Sequence, residues 1–310
     1  SKGTHLMAPR DLNQPRPDTE AVAYPQFSSI LQVESRASSS YHAMQFRSER
    51  RAGQGLALLA AYTWSKSIDD LSAVFSGNVG SGLPQDSENT RAERGLSDFH
   101  THHRLAFSYL YDLPLGAGRG RASRPGLASR LVGHWQVGGV LTLQTGHPFT
   151  VNRGTTLAGT ALTAFGIPDR PDLLADPSRP GPVLHHSDPA CRATQSRGGR
   201  AADYVRRPEG WFNPCAFDNP KPGRFGSAGR NILIGPGVSN IDFSLSKSFP
   251  LRREGRQMQV RVESFNLLNH PNFDIPGRTL DSPTFASVLS ANAYGNKPPR
   301  QTQLGFRYVF

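Results

Sequence analysis

Apolar and polar residues alternate along several stretches of this 310-residue chain, with every second side chain apolar. Such alternation predicts β-strands with one apolar and one polar face, and the 3.6-residue period of an amphipathic helix is hard to find. The predicted strands are close to the ~9 to 11 residues of membrane-spanning β-strands, longer than the ~5 to 6 of ordinary globular ones. They cover residues 28–35, 41–49, 56–65, 104–112, 135–145, 240–248, 257–265 and 300–310.

The two faces of the clearest strands differ in chemistry. In four of these strands, fourteen positions of one parity carry no charge, and Tyr and Phe lie near the strand ends, as the aromatic girdles of an outer-membrane barrel require. The other parity is polar and is predicted to line a wet lumen. The uncharged positions are Leu105, Phe107, Tyr109, Tyr111, Ile241, Phe243, Leu245, Met258, Val260, Val262, Leu304, Phe306, Tyr308 and Phe310. The predicted lumen-facing polar positions are Arg104, Asp242, Arg261, Glu263 and Arg307.

The connections between the predicted strands alternate in length. Residues 66–103, 146–239 and 266–299 form long links, residues 50–55 and 249–256 form short ones, and 113–134 is intermediate. Outer-membrane barrels have short periplasmic turns and longer extracellular loops. Residues 35–40 are an exception, predicted as a short hairpin on the outer side, and residues 7–26 form a Pro-rich connector without an assigned place.

Composition narrows the classes of protein that fit this pattern. Only 36% of the residues are hydrophobic, and 31 Gly and 25 Pro imply many turns and little mass for a conventional core. The longest apolar run, Leu56–Tyr62, is far below the ~20 residues of a membrane helix, which excludes transmembrane helices. A barrel remains open because its strands show lipid only alternate side chains. The net charge of +11 comes from arginines dispersed in turns and loops, without a nucleic-acid motif, so no nucleic-acid partner is expected.

A histidine cluster, "DFHTHHR", is the most metal-like motif. His100, His102 and His103 lie beside Asp98, but zinc needs three or four ligands in fixed geometry and no further partner has a recognisable spacing. Solvated histidines are therefore favoured over a metal site. His185 and His186 are a weaker candidate of the same kind.

The other motifs that could carry chemistry lack the surrounding residues that such chemistry needs. "GAGRG", residues 116–120, lacks the Lys-Ser/Thr and the helix of a phosphate loop. "SIDD" places Asp69 and Asp70 in a loop, where a solvated carboxylate pair is favoured over a calcium or substrate site. With no hydrolase or protease signature, we expect no catalytic residues, no metal, no cofactor and no enzyme activity. Cys191 and Cys215 leave two alternatives open, a loop disulfide in an oxidising compartment or two unpaired thiols.

Seven ordered segments together resemble one known family. They are "AAYTWSKSIDD", "RAERGLSDFHTHHRLAFSYLYDLPLG", "GHWQVGGVLTLQTGHPFTV", "WFNPCAF", "GRFGSAGRNILIGPG", "VESFNLLNHPNF" and the final "RQTQLGFRYVF". The chain resembles the C-terminal barrel of TonB-dependent receptors and, more narrowly, the Oar-like group whose N-terminus carries a carboxypeptidase-regulatory-like domain.

The resemblance implies an all-β fold, about eight C-terminal strands of an antiparallel 22-stranded barrel in the bacterial outer membrane. Residues 1–310 would be part of that barrel, with the plug and N-terminal domains absent from this chain. The implied partners are outer-membrane lipid, an extracellular substrate, the barrel-assembly machinery, and the TonB complex through the missing N-terminal part. The family's C-terminal assembly signal transfers to Leu304, Phe306, Tyr308 and Phe310.

Two rival hypotheses follow from the same residues. Eight strands could close as a small self-contained barrel with a structural or adhesive role, whose interior side chains must then fill it. The small residues Ala57, Ala61, Gly138 and Gly305 on the polar parity speak against that reading. A soluble basic binding module would predict salt-sensitive binding to polyanions.

Overall fold

A single antiparallel sheet dominates the computed structural model, which describes residues 1–16, 18–19, 21–52, 55–72, 83–115, 132–154, 169–179, 191, 205–251, 256–292 and 298–309. The short strand Gly95–Leu96 adds to one side of this sheet. Its eight long strands are β1 (Lys2–Asp11), β2 (Leu31–Ala52), β3 (Leu56–Asp69), β4 (His103–Asp112), β5 (Trp135–Gln144), β6 (Val238–Pro250), β7 (Gln257–Phe265) and β8 (Gln301–Val309).

Each long strand pairs with its neighbours in sequence, so the order from β1 to β8 is that of an up-and-down meander. Within the described ranges, no strand pairs with the outer edge of β1 or of β8. The predicted all-β antiparallel class is confirmed. The sheet is open, however, and these eight strands do not close into the small barrel of the rival hypothesis.

The predicted hairpin at residues 35–40 is wrong. The two predicted strands on either side of it are one continuous 22-residue strand, β2. Its first half pairs with β1, for example Ala37 with Leu6, and its second half pairs with β3, for example Ser39 with Asp69. Serines favour turns locally, but pairing on both sides supplies the backbone hydrogen bonds that keep this stretch extended. The strand β1, Lys2–Asp11, also takes in the first part of the predicted connector.

Antiparallel order places alternate connections at opposite ends of the sheet. Residues 12–30, 70–102, 145–237 and 266–300 leave from one end, which we call the long-loop end. Residues 53–55, 113–134 and 251–256 leave from the other, the short-loop end.

The buried apolar core lies in the connections of the long-loop end. Phe212 packs its ring against Phe149, Phe217 and Phe285, with centroids 5.8, 5.8 and 5.1 Å apart. Short two-residue pairings hold these connections together: Pro148–Phe149 with Leu233–Ile234, Asp172–Leu173 with Phe217–Asp218, and Asn152–Arg153 with Thr279–Leu280. Two 3-10 turns, Thr90–Glu93 and Pro214–Ala216, complete this folded loop body.

A disulfide joins Cys191 to Cys215 in the loop body, with Cα atoms 5.1 Å apart, and both residues are buried. Of the two alternatives left open by the sequence, the structure has the cross-link. No helix within the described ranges has the length and apolar character needed to cross a membrane.

Candidate functional site

Strand register brings the uncharged parities of neighbouring strands onto one face of the sheet. Leu141 pairs with Phe107 on one side and with Ile241 on the other. Directly paired residues project to the same side of a sheet. The resulting apolar face comprises Met44, Phe46, Tyr62, Trp64, Leu105, Phe107, Tyr109, Tyr111, Leu141, Leu143, Ile241, Phe243, Leu245, Met258, Val260, Val262, Leu304, Phe306 and Tyr308.

Many of these side chains are exposed, and exposure is largest on the last strand. Leu304 is 75% and Phe306 67% exposed, and Phe46 on β2 is 61% exposed. A soluble monomer rarely presents so extended an apolar surface to water. The face requires an apolar medium, as the alternation in the sequence predicted.

The predicted assembly signal lies at the end of this face. Leu304, Phe306 and Tyr308 are exposed on β8, and Phe310 lies outside the described residues. Their role in barrel assembly stays a prediction.

The opposite face is concave and bears the charged side chains of the strands beside apolar ones. A cavity of about 560 Å³ lies along it, lined by all six strands from β2 to β7. Among its lining residues are the charged side chains of Arg47, Glu49, Arg51, Asp242 and Glu263. Two of the five predicted lumen positions are therefore in the cavity wall. The other three, Arg104, Arg261 and Arg307, share this face by register, through pairing with Gln144, Ser246 and Gln259.

Two acidic groups of the concave face, Glu49 and Glu263, form local ion pairs. The Glu49 carboxylate accepts from Arg47 at 3.2 Å and is 3.1 Å from the Arg51 guanidinium. The Glu263 carboxylate is 3.3 Å from Arg261 and also accepts from an amide on β8. These pairs are partly exposed, so they contribute little to stability and remain available to polar solutes.

Gly138, on β5, has no side chain to fill the base of the cavity. A Cβ atom added at Gly138 would lie 2.9 Å from the Ser244 hydroxyl and 3.1 Å from a methyl group of Leu110. Side chains on the neighbouring strands therefore approach the β5 backbone closely. A larger residue at this position would have to displace them.

Above the concave face, Arg230 binds together several elements of the loop body. Its guanidinium donates to the carboxylate of Asp69 at the end of β3, to Asp98 at 3.3 Å, and to the Glu93 carbonyl at 2.7 Å. Asp98 also accepts from the Asn231 amide at 2.6 Å. The side chains of Arg230 and Asp69 are 9% and 3% exposed. Asp69 is therefore half of a buried ion pair, and the predicted solvated carboxylate pair is wrong for it.

A second buried arginine joins the same two connections. The Arg170 guanidinium donates to Glu93 at 2.8 Å and to the Gln85 side-chain oxygen at 2.7 Å. Burial lowers the pKa of Arg170, and the charge of Glu93 acts in the opposite direction. With both partners only 7% exposed, the pair fixes the 70–102 connection against the 145–237 connection.

The histidine cluster lies where the 70–102 connection re-enters the sheet. His100 is buried, and its Nδ1 accepts from the Ser67 backbone N–H at 3.2 Å. Nδ1 of His102 faces the Ser65 carbonyl at 3.2 Å, so it carries the proton, and Nε2 accepts from the Trp64 indole at 3.3 Å. His102 and His103 are exposed, as predicted, but His100 is buried, so the prediction of a solvated side chain is wrong for it.

Burial also controls the protonation of His100 and of nearby His147. Desolvation lowers the pKa of His100, and the neighbouring His102, His147 and Lys66 lower it further. The pKa of His147 is lowered mainly by burial. Both imidazoles are therefore neutral at pH 7. Across the described residues, no group of three or more His, Cys, Asp and Glu has the arrangement of a metal site.

Of the other candidates from the sequence, Asp70 has bonding partners and two motifs lie outside the described residues. The Asp70 carboxylate accepts from the Ser38 hydroxyl at 2.6 Å and lies 3.5 Å from Arg94. The "GAGRG" segment and the His185–His186 pair lie outside the described residues.

Sequence reasoning missed Arg230 and Arg170. Their acidic partners are 161 and 77 residues distant. A buried arginine and a solvated one are indistinguishable in a single sequence, since burial depends on which loops meet.

Comparison with known protein families gives a match over nearly the whole chain. A family model described as an outer membrane beta barrel domain matches residues 1–303. The chain belongs to this family of outer-membrane barrel domains. Membership places it in the bacterial outer membrane, with membrane lipid as the medium around the apolar face. No curated protein matches the chain, and no solved structure does.

Proposed function

We propose that this chain is the C-terminal part of the barrel of a TonB-dependent, Oar-like receptor, which takes up a substrate across the outer membrane. The observation that carries the proposal is the open sheet with an exposed apolar face and a charged, concave opposite face. In hydrocarbon, every backbone N–H and C=O group has to be paired, and each unpaired group costs several kcal/mol. The free edges of β1 and β8 therefore need further strands, which the rest of a larger barrel would supply.

The concave face supports a wide lumen in the assembled barrel. In eight-stranded barrels side chains fill the interior, whereas here eight strands bear a cavity of about 560 Å³ on one open face. Its ion pairs and small floor residues suit a water-filled or plugged passage more than a packed core. We assign Arg104, Asp242, Arg261, Glu263 and Arg307 to that lumen.

The loop body supports a receptor role for the long-loop end. Its aromatic core, disulfide and buried ion pairs hold it together above the concave face. Binding residues are often carried by loops on a rigid scaffold. We assign this end to the extracellular side, where it would meet substrate.

Topology is tested in intact cells that express the full-length protein. Lys221→Cys, in an exposed part of the 145–237 connection, should react with a membrane-impermeant maleimide. Glu263→Cys should react after the membrane is permeabilised, and Val260→Cys should stay protected by lipid. Equal labelling of Glu263→Cys and Val260→Cys would refute the assignment of one face to the lumen and the other to lipid.

Transport is tested by uptake. The growth-limiting solute is first identified by comparing the gene-deletion strain with the wild type, and its labelled form is then followed in strains with and without the TonB complex. Uptake should require both the receptor gene and the TonB complex. Uptake through this protein that persists without the TonB complex would refute energy coupling.

A further inference from the structure

Three basic side chains lie on the apolar face at its long-loop end. His42 pairs directly with Lys66, and Lys2 pairs with Ser40, the residue two positions before His42 on β2. All three side chains are exposed. Directly paired residues and residues two apart in a strand project to one side, so the three form a single basic row.

An exposed apolar platform adjoins this row on the side of the sheet centre. Met44 pairs with Trp64, and Phe46 pairs with Tyr62. Met44 is 58% and Trp64 48% exposed. Along the strands, this surface changes from apolar to basic toward the long-loop end. Its apolar platform suits acyl chains, and the cations just beyond it suit an anionic headgroup.

The described residues of this chain provide no counter-charge for the lysines of the basic row. Among the described residues, no ion pair involves Lys2, His42 or Lys66. Nearby carboxylates on these strands are already bonded to arginines: Asp69 to Arg230, Asp70 to Arg94, and Glu34 to Arg10 and Arg36. Negative charge from outside this chain is the complement of this row.

We infer that the basic row binds the phosphate groups of the glycolipid that forms the outer leaflet of the bacterial outer membrane. The inference rests on the outward direction of the long-loop end in the proposed function. Lysine binds phosphate as a point charge, and a basic residue next to an anionic membrane surface contributes about 1 kcal/mol, roughly fivefold in affinity. The acyl chains would lie on Met44, Phe46 and Trp64.

The test uses the full-length protein in detergent and two probes, bis-phosphorylated lipid A and the same lipid after removal of both phosphates. Native mass spectrometry measures the affinity of each. Wild type should prefer the phosphorylated probe. Lys66→Gln should weaken its binding about fivefold, and Lys2→Gln with Lys66→Gln about 25-fold, if the contributions add. Arg50→Gln, an exposed cation on the same face at the short-loop end, is the matched control and should bind like wild type.

Three results would overturn the inference. The double variant could keep wild-type affinity, Arg50→Gln could lose as much as Lys66→Gln, or the phosphate-free probe could bind as well as the phosphorylated one. Phosphatidylglycerol is a third probe, and equal binding would refute the assignment to glycolipid. Heat-dependent gel mobility confirms that each variant is folded.

Uptake measured on the same variants separates this inference from the transport proposal. Lipid binding as described, in a protein without TonB-dependent uptake, would refute transport alone. Normal uptake, together with lipid binding that is unchanged in the Lys2 and Lys66 variants, would refute the basic-row inference alone.

Discussion

Replacing Arg230 by Met should loosen the loop body without affecting the sheet. The change keeps most of the side-chain volume but leaves the Asp69 carboxylate, 3% exposed, buried without its cation. Removal of one partner from a buried ion pair costs about 3–5 kcal/mol. Since every 1.4 kcal/mol is a factor of ten, amide hydrogen exchange in residues 83–99 should accelerate roughly a hundredfold to several-thousandfold.

Two further variants make this result specific. Asp69→Asn combined with Arg230→Met removes the stranded charge and should recover part of the loss. Arg94→Met is the matched control, because Arg94 is 51% exposed and 3.5 Å from Asp70, and such surface pairs contribute only ~0–1 kcal/mol.

Hydrogen exchange followed by mass spectrometry on the full-length protein in detergent is the assay, with heat-dependent gel mobility reporting on the barrel. The reasoning is refuted if Arg230→Met exchanges like Arg94→Met. It is also refuted if the double variant is no more protected than the single one.

Three other predictions concern the loop body and the last strand. Replacing Cys191 and Cys215 together by Ser, which opens a link across 24 positions, should cost the loop body about 3 kcal/mol, measured as faster hydrogen exchange; unchanged exchange would contradict this. Burial lowers the pKa of His100 in the folded loop. Below the ordinary histidine pKa of ~6.5, the unfolded loop therefore binds more protons than the folded loop. Stability should be full above that pH and fall as the pH is lowered through the window beneath it, and His100→Gln should flatten the dependence measured by limited proteolysis; equal slopes would refute it. Changing Phe310 to Asp should lower the amount of full-length protein at the cell surface, measured by surface biotinylation, with Lys221→Gln as control; equal surface levels would show that the assembly role is misassigned.

Much of the sheet was predictable because period-two alternation acts locally. Residues 104–112 and 257–265 were predicted as strands from their own side chains, and β4 and β7 differ from those bounds by at most one residue. The uncharged parity of these strands is the apolar face of the sheet. Local patterns failed at residues 35–40, where the serines resemble a turn and the pairing of β2 with both β1 and β3 keeps the chain extended.

The loop body was beyond local reasoning. Phe149, Phe212 and Phe285 are far apart in sequence, and nothing around them shows that their rings meet. The same holds for Arg230, since a guanidinium is either solvated or buried depending on whether a carboxylate lies opposite it.

The sequence by itself determined the class of fold, the two chemistries of the strands and the solvent they need, because side chains alternate across a strand whatever its partners are. Only the tertiary structure decided the register that joins the parities into one face, the open edges of β1 and β8, and the concavity of the polar face. It also decided which of the loop charges are buried. These features depend on contacts between residues far apart in the chain, and such contacts are set by pairing and packing rather than by local pattern.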